Sequence, residues 1–184
     1  MYNIEKIKED LKHNLSQFRY EHSLLVAEEC QKLAIHYGFN EKKAYIAGLV
    51  HDIAKEFDDD QNFEWIEKYH LSSELLLPEY KNIIHANIGA VVVREWYNLD
   101  EEICNAVCYH TIGNVPMNWL DKIVFVADKI ARQSTNPIIE EIKILAYQDI
   151  DKALALYLTN QKHKLESTGR EMHPTSLKLL QLLI

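Results

Sequence analysis

The sequence predicts a single all-α domain of roughly nine helices that spans residues 1–184. Three observations favour this fold class. The chain of 184 residues is long enough to bury a core of its own, and only five glycines and four prolines interrupt it. Apolar residues recur at intervals of three and four, as on helices with one buried face, and no segment sustains the alternation of a strand.

The first elements can be placed from apolar spacing and from capping residues. A second helix is expected from about 21 to 37, with a stop at Gly38, and Asn40 is a suitable N-cap for the third. The aspartates at 58–60 indicate a turn and a helix start, where acidic residues are favoured. The first amphipathic helix is predicted by its apolar stripe, namely Ile4, Ile7, Leu11, Leu15 and Phe18.

The rest of the chain continues in the same way. Helical patterns cover about 62–70, 84–97, 100–110, 117–133, 138–147 and 149–166. A last helix follows Pro174, because proline is favoured in the first turn of a helix. Linkers, repeats and low-complexity segments are not predicted, so the chain is expected to fold as one unit.

Composition and charge exclude several classes of function. The net charge of −8 argues against binding to a nucleic-acid backbone, but not against a small phosphorylated substrate beside a metal. Three cysteines without a CxxC pair predict free thiols in a reducing cytoplasm. The amino terminus does not resemble a signal peptide, and no apolar run is long enough to cross a bilayer, so we expect no membrane partner.

Polar residues interrupt several segments that are otherwise apolar. His51 and Asp52 stand side by side in one of them, and an imidazole next to a carboxylate is a natural ligand pair for iron, manganese, cobalt or zinc. Further interruptions occur at His22, His85, His110 and Asp128. Each has a structural alternative, since a lone helix histidine is often a packed or capping residue. Asp52 could pair with Lys55, and Asp128 with Lys122 or Lys129.

The ordered set of His22, His51 with Asp52, and Asp128 resembles the metal signature of the HD-domain phosphohydrolases. Segments 19–28, 37–55, 85–90, 105–113 and 117–130 are similar to the YqeK branch of that family, the symmetrical bis(5′-nucleosyl)-tetraphosphatases. The match covers roughly residues 15 to 180. It implies an HD-domain helical bundle in a bacterial enzyme that cleaves diadenosine tetraphosphate (Ap4A) to two ADP, by attack of a metal-activated water on an inner phosphate.

The resemblance also implies roles for individual residues. The metal ligands would be His22, His51, Asp52 and Asp128, with His85 and His110 completing a second metal position or contacting phosphate. Iron is the expected metal, with manganese, cobalt or zinc as alternatives, and one or two ions would be bound. The catalytic residues would be Asp52, Lys55, His85 and His110.

Nucleotide contacts follow from the same resemblance. They comprise the catalytic and metal-ligating residues Asp52, Lys55, His85, His110, His22 and Asp128, and in addition Arg19, Thr111, Gly113, Arg132, Arg170, His173 and Thr175. One stretch departs from the family, which usually continues after Ala-Asp with an acidic residue, Pro and then Arg. Here Lys129 to Thr135 take that place, and Arg132 would replace the family arginine in a different register. The departure bears on the expected nucleotide affinity or choice and not on the expected metal site.

Other functions stay open at this stage. An HD nucleotidase or dNTP phosphohydrolase is the nearest alternative, and a sensor that binds nucleotide without turnover is a second. A cyclic-dinucleotide phosphodiesterase is disfavoured because no Gly-Tyr-Pro motif occurs, and a helical adaptor would leave the polar interruptions unexplained. Trp65, Trp96 and Trp119 could serve a homodimer as easily as a core.

Overall fold

The computed structural model describes residues 2–184, and within them it contains ten α-helices and no strand. The all-α prediction is confirmed, with one helix more than expected. Two short 3₁₀ helices (Ser73–Leu76 and Pro78–Tyr80) precede the fifth helix. The helices are α1 (Ile4–Asn14), α2 (Gln17–His36), α3 (Glu41–Val50), α4 (Asp59–Tyr69), α5 (Ile84–Tyr97), α6 (Glu101–Tyr109), α7 (Trp119–Ile130), α8 (Pro137–Ala146), α9 (Ile150–Glu166) and α10 (Pro174–Leu183).

Helix α7 is the centre of the bundle. It packs against α2, α3, α6, α8 and α9, and its residues from Ile123 to Ala127 are all buried. The other extensive helix pairs are α2 with α3, α5 with α6 and α8 with α9. Asp128 follows this apolar run directly. Its carboxylate therefore lies in the part of the bundle where several helices pack around α7.

The boundary between the first two helices lies earlier than predicted, since the first was expected to include Phe18 and the second to begin at about 21. Helix α1 ends at Asn14, Leu15 is extended, and Ser16 caps α2 by accepting a hydrogen bond from the backbone of Arg19 at 3.4 Å. The apolar spacing runs through this break, which is why periodicity alone placed the boundary too late in the chain. Phe18 accordingly belongs to α2 and is 60% exposed rather than part of the buried stripe of α1.

Several predicted caps are confirmed. Asn40 accepts a hydrogen bond from the backbone of Lys43 at 3.0 Å, and Asp58 forms a capping box at the start of α4. Gly38 has a φ of +68°, which allows the chain to leave α2. Pro174 occupies the first turn of α10.

The segment after α3 differs from the expected helix. Helix α3 ends at Val50, so His51 and Asp52 lie in a succession of tight turns over 51–56. The backbone amide of Lys55 donates to the carbonyl of Asp52 at 2.9 Å, an i to i+3 bond. The sequence had suggested a helix that continues through this segment. Instead, Lys55 and Asp52 lie on one tight turn.

Three further expectations concern membrane spans, the cysteines and the tryptophans. Among the described residues, no helix combines the length and apolar character that a membrane span needs. Cys30, Cys104 and Cys108 are free thiols, as predicted. Trp96 and Trp119 are 40% and 46% exposed, and the homodimer stays a prediction.

Candidate metal centre

Six polar side chains from five parts of the chain meet in the interior of the bundle. The turn after α3 supplies two of them, and all but Asp128 belong to buried residues. The others come from the second turn of α2, the first turn of α5, the C-terminal end of α6 and the last turns of α7. The six are His22, His51, Asp52, His85, His110 and Asp128.

One half of the cluster is built around Asp128. Its Oδ1 lies 2.9 Å from Nε2 of His22 and 3.4 Å from Nε2 of His51. These three residues each offer one ligand atom within 4.8 Å of the others, as a metal site requires. Two imidazoles and a carboxylate suit a first-row transition metal.

The other half is built around Asp52. Its Oδ1 lies 3.2 Å from Nε2 of His85 and 3.5 Å from Nε2 of His110, and the two histidine nitrogens are 3.2 Å apart. Its Oδ2 lies 3.6 Å from Nε2 of His51. His51, Asp52 and His110 form a second group with metal-ligand spacing, so His51 belongs to both groups.

Backbone carbonyls orient two of the histidines. Nδ1 of His51 donates to the carbonyl of Gly48 at 2.7 Å, and Nδ1 of His110 donates to that of Val107 at 2.7 Å. With the proton on Nδ1, the lone pair of each Nε2 faces the cluster, which is the tautomer that metal binding needs. Nε2 of His51 is buried and has no hydrogen-bond partner among residues 2–184. A buried nitrogen in this position fits a metal ligand.

Burial and mutual charge adjust the protonation of the cluster. Burial raises the pKa of Asp52, but His51 and the nearby His110 and His85 outweigh it and hold the pKa well below its usual range. Burial lowers the pKa of His85 to about 4 and also lowers that of His110. An ionised carboxylate next to neutral imidazoles is the state that binds a cation.

The pKa values of His51 and Asp128 are also set by burial and by neighbouring charge. Burial would lower the pKa of His51, but Asp52 and Asp128 outweigh it and raise that pKa. Burial would raise the pKa of Asp128, yet Lys129, His22 and His51 hold it low. Both carboxylates are therefore ionised at neutral pH, and a bound metal ion would neutralise their charge.

Three cationic side chains border the cluster. Nη1 of Arg19 lies 3.1 Å from Oδ2 of Asp52, and Nζ of Lys55 lies 3.2 Å from both ring nitrogens of His85. Nζ of Lys129 lies 2.6 Å from Oδ2 of Asp128. Burial lowers the pKa of Lys55, whereas the attraction of Asp128 outweighs burial and raises that of Lys129. Positive charge beside the cluster suits a phosphate ligand.

A pocket of about 260 Å³ opens over the cluster. Of the residues singled out in the sequence, it is lined by Arg19, Asp52, Lys55, His85, His110, Thr111 and Asp128. Sequence reasoning missed Asn82, Lys129, Tyr157 and Gln161, which line it as well. Tyr157 and Gln161 are four residues apart on one face of α9, a spacing that also fits an ordinary amphipathic helix. Their place in the sequence therefore carried no signal of a site.

Arg132 does not line this pocket. Its Nε donates to Nδ1 of His22 at 3.1 Å, its Nη2 donates to the carbonyl of Phe18 at 3.2 Å, and its guanidinium lies 3.8 Å from the centre of the Phe18 ring. The arginine thus contacts a candidate metal ligand. Its predicted contact with nucleotide stays a prediction.

Four further residues lie outside the pocket lining. His173 caps α10 by accepting from the backbone of Thr175 at 3.2 Å, and Arg170 donates to Thr168. Gly113 has a φ of +76°, with the side chain of Leu179 close behind it. The contacts predicted between nucleotide and Gly113, Arg170, His173 or Thr175 stay predictions.

Comparison with known proteins identifies the family. The HD domain model matches residues 19–133. A Staphylococcus aureus protein named symmetrical bis(5′-nucleosyl)-tetraphosphatase is 36% identical over 83% of this chain and 79% of its own length. A protein of the same name from Halalkalibacterium halodurans is 32% identical over 91% of this chain and 89% of its own.

A solved structure agrees with the sequence relatives. It is the crystal structure of a predicted HD superfamily hydrolase involved in NAD metabolism from Clostridium acetobutylicum, with a TM-score of 0.90, 30% identity and coverage of 100% of this chain and 97% of that one. The helical order, the buried His and Asp cluster and these matches agree with one another. The chain belongs to the HD-domain family.

Proposed function

We propose that this protein is a metal-dependent hydrolase that cleaves Ap4A symmetrically to two ADP. The observation that carries the proposal is the meeting of His22, His51, Asp52 and Asp128 in one buried cluster beside Arg19 and Lys55. Relatives named for this activity cover most of the chain and support the choice of substrate. Water adds to an inner phosphorus, the central P–O–P bridge breaks, and ADP leaves.

The cluster would hold one or two divalent ions. A bound ion would neutralise phosphate charge and lower the pKa of a coordinated water towards neutrality. We propose His22, His51, Asp52 and Asp128 as its ligands, with His85 and His110 completing a second position on the other side of Asp52. Iron is the proposed resident metal, and manganese, cobalt and zinc suit the same donors.

The cationic side chains would handle the phosphates. Lys55 lines the pocket beside His85, and Arg19 lies against Asp52, so both can face charge that develops on the transferring phosphoryl group. Thr111 also lines the pocket, and its buried hydroxyl has no hydrogen-bond partner among residues 2–184. It is free to contact a phosphate or ribose oxygen. We propose these three as substrate contacts.

Product analysis tests the proposal. The protein is incubated anaerobically with Ap4A and with ferrous iron, cobalt or manganese in turn, and the nucleotides are separated by ion exchange. ADP as the sole product is the expected result. AMP with ATP would contradict symmetrical cleavage while keeping a hydrolase. No turnover with any metal would favour the nucleotidase or the sensor, which binding of nucleotide without product would then distinguish.

A further inference from the structure

A second and larger pocket opens beside the metal cluster. Its volume is about 580 Å³, against about 260 Å³ for the pocket over the cluster. The two share three wall residues, Lys55, Asn82 and His85, so they are neighbours across one ridge of side chains. Ligand pockets usually occupy some 300 to 1,000 Å³, so the larger one has room for a small-molecule group and the smaller one falls short.

Symmetrical cleavage of a dinucleoside tetraphosphate requires room for a nucleoside close to the metal cluster. When the central bridge of four phosphates is cut, each nucleoside is only two phosphates away from the broken bond. The pocket over the cluster is too small for both the phosphates and a nucleoside. A nucleoside pocket must therefore open directly beside it, as the larger pocket does at Lys55 and His85.

The lining of the larger pocket combines cationic and apolar residues with one carboxylate, Asp59. The cations are Lys55 and the exposed Lys81, and Lys81 forms no ion pair among residues 2–184. The apolar residues include Phe57, Leu76 and Leu77, of which the two leucines are 42% and 45% exposed. Cations suit phosphate, and an aromatic and aliphatic surface suits the face of a base.

An uncharged polar residue, Asn62, also lines the pocket. Asn62 is buried, and its Nδ2 donates to the carbonyl of Phe57 at 3.4 Å. Its Oδ1 has no hydrogen-bond partner among the residues described. A buried acceptor without a partner is costly, and the exocyclic amino group of a base is a donor that could satisfy it after a small adjustment of the side chain.

We propose that this pocket binds one nucleoside of the dinucleoside tetraphosphate. The base lies against Phe57 and Leu76, and the phosphates run past Lys55 to the cluster. The proposal rests on the proposed function, since it takes the substrate from there. It adds a specific binding place for one nucleoside of that substrate. Of the residues predicted to contact nucleotide, only Lys55 and His85 line this pocket.

The experiment compares Ap4A with inorganic tetraphosphate, which has the four phosphates and no nucleoside. Two constants are measured with the metal-loaded protein: KM for Ap4A, and the inhibition constant of inorganic tetraphosphate. In Leu76→Asn, KM should rise about fivefold because an apolar contact with the base is lost. The inhibition constant should not change. The matched control is Leu182→Asn, at a leucine of α10 that is 66% exposed and outside the pocket, and neither constant should change there.

Two results would overturn the subsite. One is an unchanged KM in Leu76→Asn, and the other is an equal rise of both constants, which would indicate general damage to the phosphate site. Melting temperatures of both variants check that the fold is intact, and the exposure of Leu76 predicts that it is. If the unaltered protein makes no ADP from Ap4A, the proposed function fails and the subsite fails with it. Release of ADP by the unaltered protein therefore shows whether the proposed function has failed or only the subsite.

Discussion

The carbonyl oxygen of Gly48 accepts a hydrogen bond of 2.7 Å from Nδ1 of His51. The same glycine sits where α3 presses against α2: a Cβ placed on it would lie 2.7 Å from Sγ of Cys30 and 3.0 Å from Cα of Ala27. The close approach of these two helices and the orientation of a candidate metal ligand thus depend on one residue. A substitution at Gly48 should therefore affect both the packing of α3 on α2 and the orientation of His51.

Gly48→Ala should therefore lower both stability and metal affinity. Overpacking of a core typically costs about 1 to 3 kcal/mol, and the better helix propensity of alanine offsets only about 1 kcal/mol of it. The free energy of unfolding from urea titration checks the first effect, and metal titration checks the second. Cys30→Ala in the same chain removes the Sγ contact and should restore part of the stability. Unchanged stability in Gly48→Ala would contradict the tight contact.

Asp121 gives the fold a dependence on pH. It is buried in the first turn of α7, where Oδ2 accepts from the backbone of Asn118 at 2.9 Å and Oδ1 has no partner among residues 2–184. Burial raises its pKa to about 6 from the usual 3.8. Because the folded state then holds its proton more tightly than the unfolded state, the stability from this group is complete below pH 3.8 and is lost as the pH rises through 6.

Asp121→Asn keeps the acceptor for Asn118 and removes the charge. At pH 7.5 the variant should be more stable than the unaltered protein by ~3 kcal/mol, since the pKa rises from 3.8 to about 6 and each pKa unit corresponds to about 1.4 kcal/mol. Its advantage should shrink below pH 6 and disappear near pH 4. Thermal melting from pH 4 to 8 measures this, with Asp151→Asn at a partly exposed ion pair as the control. An advantage that does not vary with pH would rule out burial of a charged carboxylate as its cause.

The fold class followed from the sequence because helical periodicity is a local property. The errors of the prediction are local as well. The break at Leu15 interrupts the helical backbone without interrupting the apolar spacing. The tight turns at 51–56 keep helix-like hydrogen bonds. The 3₁₀ segments over 73–80 carry no periodic pattern. They nevertheless form a wall of the larger pocket, through Leu76 and Leu77.

The site was predicted in part, for a physical reason. A charged or polar residue in an apolar segment is costly, so His51, Asp52 and Asp128 were conspicuous in the sequence. Tyr157 and Gln161 line the same pocket, but both are common on the partly exposed face of a helix. Their role depends on where α9 packs, and that is a tertiary property.

Asp52→Asn should abolish activity while leaving the fold intact. The carboxylate stands between His85, His110 and His51, and the amide that replaces it loses both the charge and one of the two acceptor oxygens. Metal affinity should fall by more than about a hundredfold, since loss of even an outer partner of a ligand costs about 10- to 100-fold. Metal content by mass spectrometry and ADP release measure the two effects.

The control for Asp52→Asn is again Asp151→Asn, whose carboxylate forms an ion pair with Lys122 and belongs to neither group with metal-ligand spacing. It should bind metal and turn over Ap4A like the unaltered protein. If Asp52→Asn keeps its metal and its turnover, the assignment of Asp52 as a ligand is wrong. A variant that loses metal but also melts far earlier would point to a structural role of the carboxylate instead.

Lys55→Ala should separate catalysis from metal binding. Nζ of Lys55 lies 3.2 Å from the ring nitrogens of His85, and the residue lines both pockets, but an ammonium is not a metal ligand. Metal content should therefore be unchanged, while kcat falls about 10²- to 10³-fold, as when one donor to a developing negative charge is removed. Lys12→Ala, at an exposed lysine of α1, is the matched control. Full activity in Lys55→Ala would remove Lys55 from the mechanism, and loss of metal would show that it supports the cluster instead.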